Sequence, residues 1–223
     1  MELTNFASMK LLFATGNAGK LREAAEILGS GFEVVSPKDL GIYDEAVEDG
    51  DSFEENSYIK AKFLWDKVMK LADCGIDGII ADDSGLEVDA LDGAPGIFSA
   101  RYAGEGHDFR ENTKKLLSTL AEKGAVAFGN RSARFRCVVT YIRKDASYKQ
   151  FHGTIEGRIA DIESGCGGFG YDPVFIPTDD ELVVLGGDAV HKYSGKTLAE
   201  IPEHLKNAIS HRYKALASML ISF

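Results

Sequence analysis

The amino-acid sequence predicts an α/β fold, and three observations carry that prediction. An apolar run at residues 10–15 (KLLFAT) leads through a turn of small residues into a helical pattern, then into a second apolar run at 32–36. Such a strand–loop–helix–strand opening builds a sheet covered by helices. The stretch after residue 52 repeats the helical spacing, and residues 134–142 (RFRCVVTYI) form a long β run.

Local chemistry justifies each element in turn. Residues 15–20 (TGNAGK) are the first turn, after which Leu21, Ala24, Ala25, Ile27 and Leu28 recur at helical spacing up to Gly29. Residues 44–51 make an acidic loop. Ser52-Phe53-Glu54-Glu55 is a capping box, its hydroxyl and carboxylate each satisfying a free amide at a helix start. That helix sets Ala61, Leu64, Trp65, Val68, Leu71 and Ala72 on one stripe that packs on a sheet, and Gly75 stops it. A strand at 78–81 is expected to end in Asp82-Asp83-Ser84-Gly85, with the Gly-, Ala- and Pro-rich stretch 86–106 irregular. Residues 108–123 are helical, with Leu116, Leu117 and Leu120 apolar. Residues 151–159 pair with the 134–142 run, and 165–172 form a glycine-rich loop before an apolar segment at 173–176. One final helix carries Leu205, Ile209, Leu216, Met219 and Leu220.

Composition excludes several classes. The 223 residues are 44% hydrophobic and 27% charged, ordinary for a globular protein able to bury its own core. A net charge of −10 argues against a protein that grips nucleic acid along its backbone, which needs a basic face. It leaves room for a phosphate ligand in a locally positive site. Cys74, Cys137 and Cys166 are odd in number and widely spaced, which argues against a disulfide framework or zinc site and for a reducing compartment. No apolar run is long enough to span a bilayer, and the first ten residues lack the pattern of a signal peptide. A cytoplasmic protein is expected, with no membrane partner.

Five features bear chemistry. In TGNAGK, small residues between strand and helix let backbone amides approach an anion, and Lys20 adds a charge; an ordinary turn with a solvated lysine fits equally. Asp82-Asp83 at a strand end offers hard oxygen ligands where α/β sheets bind ligands, or else one aspartate caps the turn while the other is solvated. The acidic loop with Glu45, Glu48 and Asp49 is a solvated face or the source of a further metal ligand. On the helix behind it, Asn56 and Lys60 share a face and can reach one phosphate. The glycine-dense loop 165–172 lets a flat ligand come close, and its Phe169 and Tyr171 offer stacking surface or plug the core. Lys206 and Ser210-His211-Arg212 supply donors suited to a carbonyl oxygen, such as position 6 of hypoxanthine or xanthine, or else are a basic cluster decorating the surface.

In order along the chain, TGNAGK (15–20), ADDSGLEVDALDGAPGIFSARYAG (81–104), GGFGYDPVF (167–175) and KNAISHR (206–212) resemble the Ham1-type family of inosine triphosphate pyrophosphatases. The resemblance covers residues 11–217. It implies an elongated mixed β-sheet with flanking helices, in two lobes with the active site in the cleft between them. Residues 1–223 would form a single two-lobed domain, with 1–9 an N-terminal extension. It further implies a homodimer and magnesium-dependent hydrolysis of non-standard purine nucleoside triphosphates (ITP, dITP, XTP) at the α–β phosphoanhydride. The products would be the monophosphate and pyrophosphate, cleansing the nucleotide pool.

The resemblance assigns roles as well. Thr15, Gly16, Asn17, Ala18, Gly19 and Lys20 match the segment that holds the triphosphate, and Ser84 and Lys60 match contacts on the phosphate side. Asp83 matches the general base, and with Lys60 is the catalytic assignment. Glu48, Asp82 and Asp83 match the magnesium site. Phe169, Gly170, Tyr171 and Asp172 match the base-stacking loop, and Lys206, His211 and Arg212 the base-recognition end. The segment 179–193 is longer than in many relatives, which leaves a loop of unassigned role. A Maf-type pyrophosphatase of modified nucleotides shares the opening motif, but the SHR and FGYD segments point to the purine branch. A nucleotide-binding module without catalysis would need no Glu48, Asp82 and Asp83 together.

Overall fold

The computed structural model describes residues 8–68, 70, 75–106, 108–125 and 130–223. The strands are β1 (Met9–Phe13), β2 (Phe32–Val35), β3 (Gly78–Val88), β4 (Ser132–Arg143), β5 (Tyr148–Ile159) and β6 (Phe175–Pro177). They form one six-stranded sheet in the order β2-β1-β3-β4-β5-β6. The sheet is mixed: β1 runs parallel to both β2 and β3, whereas β5 and β6 are antiparallel. The helices are α1 (Ala18–Leu28), α2 (Phe53–Val68), α3 (Phe109–Glu122), α4 (Asp179–Val183), α5 (Ala189–Tyr193), α6 (Glu203–Ile209) and α7 (His211–Leu220). The α/β expectation holds. Among the described residues no helix is long and apolar enough to cross a membrane.

The chain divides into two compact units, one of Met1–Asp83, Val138–His152 and Ala215–Phe223, the other of Ser84–Cys137 and Gly153–Lys214. In the first, Ala61, Leu64 and Val68 of α2 pack on Leu12, Ile79, Ala81 and Ile142 of the strands. Full burial of each large apolar side chain contributes about 1.5–3 kcal/mol, so this stripe holds the helix in place. Trp65 is half-buried, and its indole N–H donates to the Arg143 carbonyl at 3.3 Å. Leu71 and Ala72, the end of the expected stripe, lie outside the described residues, as does Cys74.

In the second unit, Leu86 and Val88 of β3 join Leu116 and Leu120 of α3, Phe135, Ile155, Phe175 and Ile209 in one buried cluster. Leu117, expected on the same inner stripe, packs at its half-buried margin.

The structure corrects five expectations. The strand at 78–81 does not stop at Asp82: β3 runs on to Val88, because the polar residues are buried inside the sheet instead of forming a turn. Residues 86–106 therefore open with strand, and the remainder includes short 3-10 turns at Asp89–Leu91 and Gly96–Arg101. The final helix is two helices, interrupted at Ser210 (φ −64°, ψ 150°), whose hydroxyl accepts the Tyr213 N–H and caps α7. The unassigned segment 179–193 folds into α4 and α5, which send Leu182 and Tyr193 into the core. Of the expected extension 1–9, residues 1–7 lie outside the described residues and Met9 already opens β1.

Candidate active site

The phosphate-friendly turn is built as its sequence requires. Asn17 is the N-cap of α1, its side-chain oxygen accepting the amides of Gly19 at 2.8 Å and Lys20 at 3.2 Å. Thr15 in turn accepts the Asn17 N–H at 3.1 Å. These bonds fix the loop with Ala18 at the first helical position and deliver Lys20 within the first turn. The Lys20 ammonium then contacts both oxygens of Asp82, at 3.0 and 2.9 Å.

The two aspartates are not a pair. Neighbours on a strand face opposite sides of the sheet. Asp83 shares the face of Ile79 and Ala81, which α2 covers, and there its Oδ1 accepts from Lys60 at 3.0 Å. Asp82 turns the other way, toward α1. Both lie just past the reach of β1, whose pairing with β3 ends at Phe13↔Ile80. The carboxylates therefore do not stand at the end of their own strand, as expected, but where β1 has stopped and β3 continues.

Lys60 also donates to Glu48 at 3.1 Å, so one ammonium joins the acidic loop to the strand. Asn56, read as a phosphate contact, does something else: it is buried, and its side-chain oxygen accepts the Gly50 N–H at 2.9 Å. A Cβ on Gly50 would stand 2.7 Å from that of Glu55, so only glycine lets the Glu48 loop approach α2 so closely. The capping box forms with a one-residue shift: Ser52 accepts the Glu55 N–H, and Glu55 accepts that of Asp51. Around these groups lies a pocket of about 210 Å³ lined by Thr15, Gly16, Lys20, Lys38, Glu48, Lys60 and Asp82 among others.

Burial pushes the Asp83 carboxyl above its ordinary value, against the pull of the Lys60 charge. Burial alone would lower the Lys60 ammonium, but the charges of Asp83, Asp82 and Glu48 outweigh it and hold the group protonated. Asp83 is therefore a more basic carboxylate than usual beside a fixed cation. Its Oδ2 is buried with no hydrogen-bond partner. A buried bare carboxylate oxygen calls for a cation or a proton donor from a ligand. Among the described residues no three His, Cys, Asp or Glu side chains converge as a ready-made metal cage. The donor set fits magnesium, which takes one or two carboxylates and completes its shell with waters and phosphate oxygens.

In the second unit the glycine-rich loop is organised by Asp172. Its Oδ2 accepts the Phe169 N–H at 2.9 Å and the Lys206 ammonium at 3.0 Å. Gly168 has φ +72°, and a Cβ there would collide with the Asp172 carboxylate. Phe169 is about half exposed, with the Lys206 ammonium 5.1 Å from its ring centre. Tyr171 takes the second of its two readings and plugs the core instead of offering the stacking surface that the resemblance implies: it is buried, and its hydroxyl donates to the Ser99 carbonyl at 2.9 Å. Burial pushes its phenol far up, so it stays a neutral structural group. Arg212 is buried at the start of α7, and the His211 ring stacks on Phe135 with centres 5.1 Å apart. Ser84 is half-buried on β3 beside Asp83, and Gly170 follows Phe169 with φ +62°.

The two units thus carry two sets of chemistry: lysines and carboxylates around a pocket in one, an exposed aromatic ring with a tethered lysine in the other. Residues 11–221 match the profile of the Ham1 family. The chain belongs to that family. It is 45% identical over 215 residues to a protein of Thioalkalivibrio sulfidiphilus called dITP/XTP pyrophosphatase, covering 95% of this chain and 97% of that one. It is 43% identical to the protein of the same name in Escherichia coli K12, covering 95% and 96%. Among solved structures, the Ham1 protein of Staphylococcus aureus superposes with a TM-score of 0.76 at 33% identity, over 96% of this chain and 97% of that one. The HAM1 protein of Coxiella burnetii gives 0.77 at 32%, over 96% and 98%. Family and fold agree with the motifs in the sequence.

Proposed function

We propose that the protein hydrolyses non-standard purine nucleoside triphosphates (dITP, XTP and ITP) to the monophosphate and pyrophosphate. Relatives called dITP/XTP pyrophosphatase, alike over nearly their whole length, support that substrate class. The observation that carries the chemistry is Lys60 clasped between Glu48 and the buried, proton-hungry Asp83, beside the turn that presents Lys20.

In this reading Asp83 takes the proton from a water as its oxygen attacks the α-phosphorus. The bond from that phosphorus to the bridging oxygen breaks, and pyrophosphate leaves with the bond's electron pair. A carboxylate made more basic by burial is suited to this step. Lys20 and Lys60 set positive charge where the phosphate oxygens become more negative, and the N-terminus of α1, which opens at this turn, adds a favourable dipole. Of Glu48, Asp82 and Asp83, the two that share the Lys60 ammonium, Glu48 and Asp83, would hold magnesium, which when bound supplies further charge neutralisation on the phosphates, while Asp82 holds Lys20 in place. In the second unit Phe169 offers the base a stacking face, while Lys206, His211 and Arg212 supply donors for a 6-carbonyl. A homodimer and a cytoplasmic setting belong to the same reading.

The test is pyrophosphate release from dITP, XTP, ITP, ATP, GTP and modified pyrimidine triphosphates, with and without magnesium. Preference for the 6-oxo purines that lack the 2-amino group of guanine supports the reading. Equal turnover of ATP, or preference for the modified pyrimidines, overturns it.

A further inference from the structure

We propose that Phe109 is a second aromatic wall of the base site, forming with Phe169 the corner that grips the purine ring. This rests on Phe169 as the stacking surface, and goes beyond it by adding a residue that none of the motifs contains.

Phe109 opens α3, one turn before Thr113 and on the stripe that continues through Leu116 and Leu120. Those three are buried, Thr113 at 2% and both leucines at 0%, so the pattern calls for a buried residue at 109 as well. Phe109 is instead 46% exposed, close to the 48% of Phe169. The two rings nonetheless meet, with centres 6.4 Å apart and planes tilted by 57°. Phe135 and Phe175, the comparable pair in the same unit, are both buried with centres 4.7 Å apart, which is how touching rings serve a core. Leaving half of two adjacent rings in water forfeits that burial unless a ligand covers them.

The neighbouring backbone holds the corner in place. The side chain of Asp108 caps α3 on the amides of Arg110 and Glu111, fixing where the helix begins and where Phe109 projects. Across from it, Gly170 brings the loop so close that a Cβ there would stand 3.9 Å from the Phe109 ring. Phe169 is anchored in turn through its own N–H on Asp172. Two rings tilted by more than half a right angle leave a wedge, and a flat heterocycle lying on one meets the other. Stacking and edge contacts of this kind are blind to exocyclic groups, so Phe109 adds affinity for the base and not choice among bases.

The experiment compares wild type, Phe109→Ala and Phe109→Tyr. Binding of inosine monophosphate is measured by calorimetry, steady-state kinetics use dITP, and binding of pyrophosphate with magnesium serves as the control. Phe109→Ala should weaken inosine monophosphate about tenfold and raise KM similarly, the size of one lost base–aromatic contact. Its kcat, pyrophosphate affinity and melting temperature should stay near wild type, and Phe109→Tyr should retain tight binding. A purely structural role would move the melting temperature and both ligands together, and would overturn the proposal. Affinity and KM within twofold of wild type in Phe109→Ala would overturn it too, while leaving dITP hydrolysis intact. A wild-type protein that neither binds inosine monophosphate nor hydrolyses dITP overturns both this inference and the function it rests on.

Discussion

Asp83 and its neighbour Asp82 look interchangeable in sequence, yet the strand sends them to opposite faces and gives them different partners. Asp82 is fully engaged by Lys20, whereas Asp83 keeps one buried oxygen without a hydrogen bond and a raised proton affinity. Asp83→Asn preserves shape and removes the base that the proposed mechanism requires. We expect it to bind nucleotide but to lose about 10²–10⁴-fold in turnover, the usual worth of a positioned base; turnover of dITP near wild type would rule that role out. Asn56 carries a different expectation. Asn56→Ala leaves the Gly50 amide without its acceptor, so unfolding in urea should show a loss of about 1–3 kcal/mol, with turnover reduced as the Glu48 loop loosens. Unchanged stability would show that the loop does not depend on this bond. The motifs named residues that gather around the pocket, among them Thr15, Lys20, Glu48, Lys60 and Asp82, but not the directions of their side chains. Spacing alone put Asn56 beside Lys60 and Tyr171 beside Phe169, and the packing of a buried helix face and a core tyrosine separated them.

At the scale of elements, helix starts were the most readable feature, because capping is local. Asn17, Ser52 and Asp108 each accept amides a few residues ahead, as their types predict. What escaped was tertiary in origin. DDSG has the composition of a turn, but β3 carries it as strand past the last β1 pair, Phe13↔Ile80, with β4 as its other neighbour, and tertiary context overrides local preference. The break at Ser210 has no glycine or proline to announce it. The junction of β1 and β3 yields a pH prediction. Asp77 accepts from the Lys144 ammonium at 2.7 Å and from the Lys10 amide at 2.8 Å, and these bonds hold its carboxyl below the ordinary value. A lowered folded pKa means that stabilisation is complete above the unfolded value near 3.8 and fades as pH falls through the folded one. Wild type should therefore exceed Asp77→Asn in urea midpoint near neutral pH, and the gap should close in acid. A gap that persists unchanged in strong acid would show that the charge of Asp77 contributes nothing.

On the scale of the whole molecule, the proposed function raises the question of how a chain of net charge −10 would hold a triphosphate. The phosphate end does not escape that acidity: Lys20 and Lys60 face Glu48, Asp82 and Asp83, two positive charges against three negative. Lys38 joins the pocket lining, but so do Asp44 and Glu45. A polyanion entering this pocket meets no excess of protein cations, so in the proposed reading the positive charge that binds it would arrive with it, as magnesium. The base end, as proposed, would rely on the Phe169 ring and on Lys206, already paired with Asp172, and would need no such help. Removing divalent metal should therefore separate the two ends. With a chelator present, turnover and pyrophosphate binding should collapse, while inosine monophosphate should keep most of its affinity, since it presents the base and only a single phosphate. Raising salt without a chelator should weaken pyrophosphate far less than chelation does, because close, partly buried charges are poorly screened. Calorimetry on the intact protein with pyrophosphate and with inosine monophosphate, each with magnesium and with chelator, checks both statements. Pyrophosphate binding that survives chelation would mean that the lysines alone suffice and that the charge count misjudges the site.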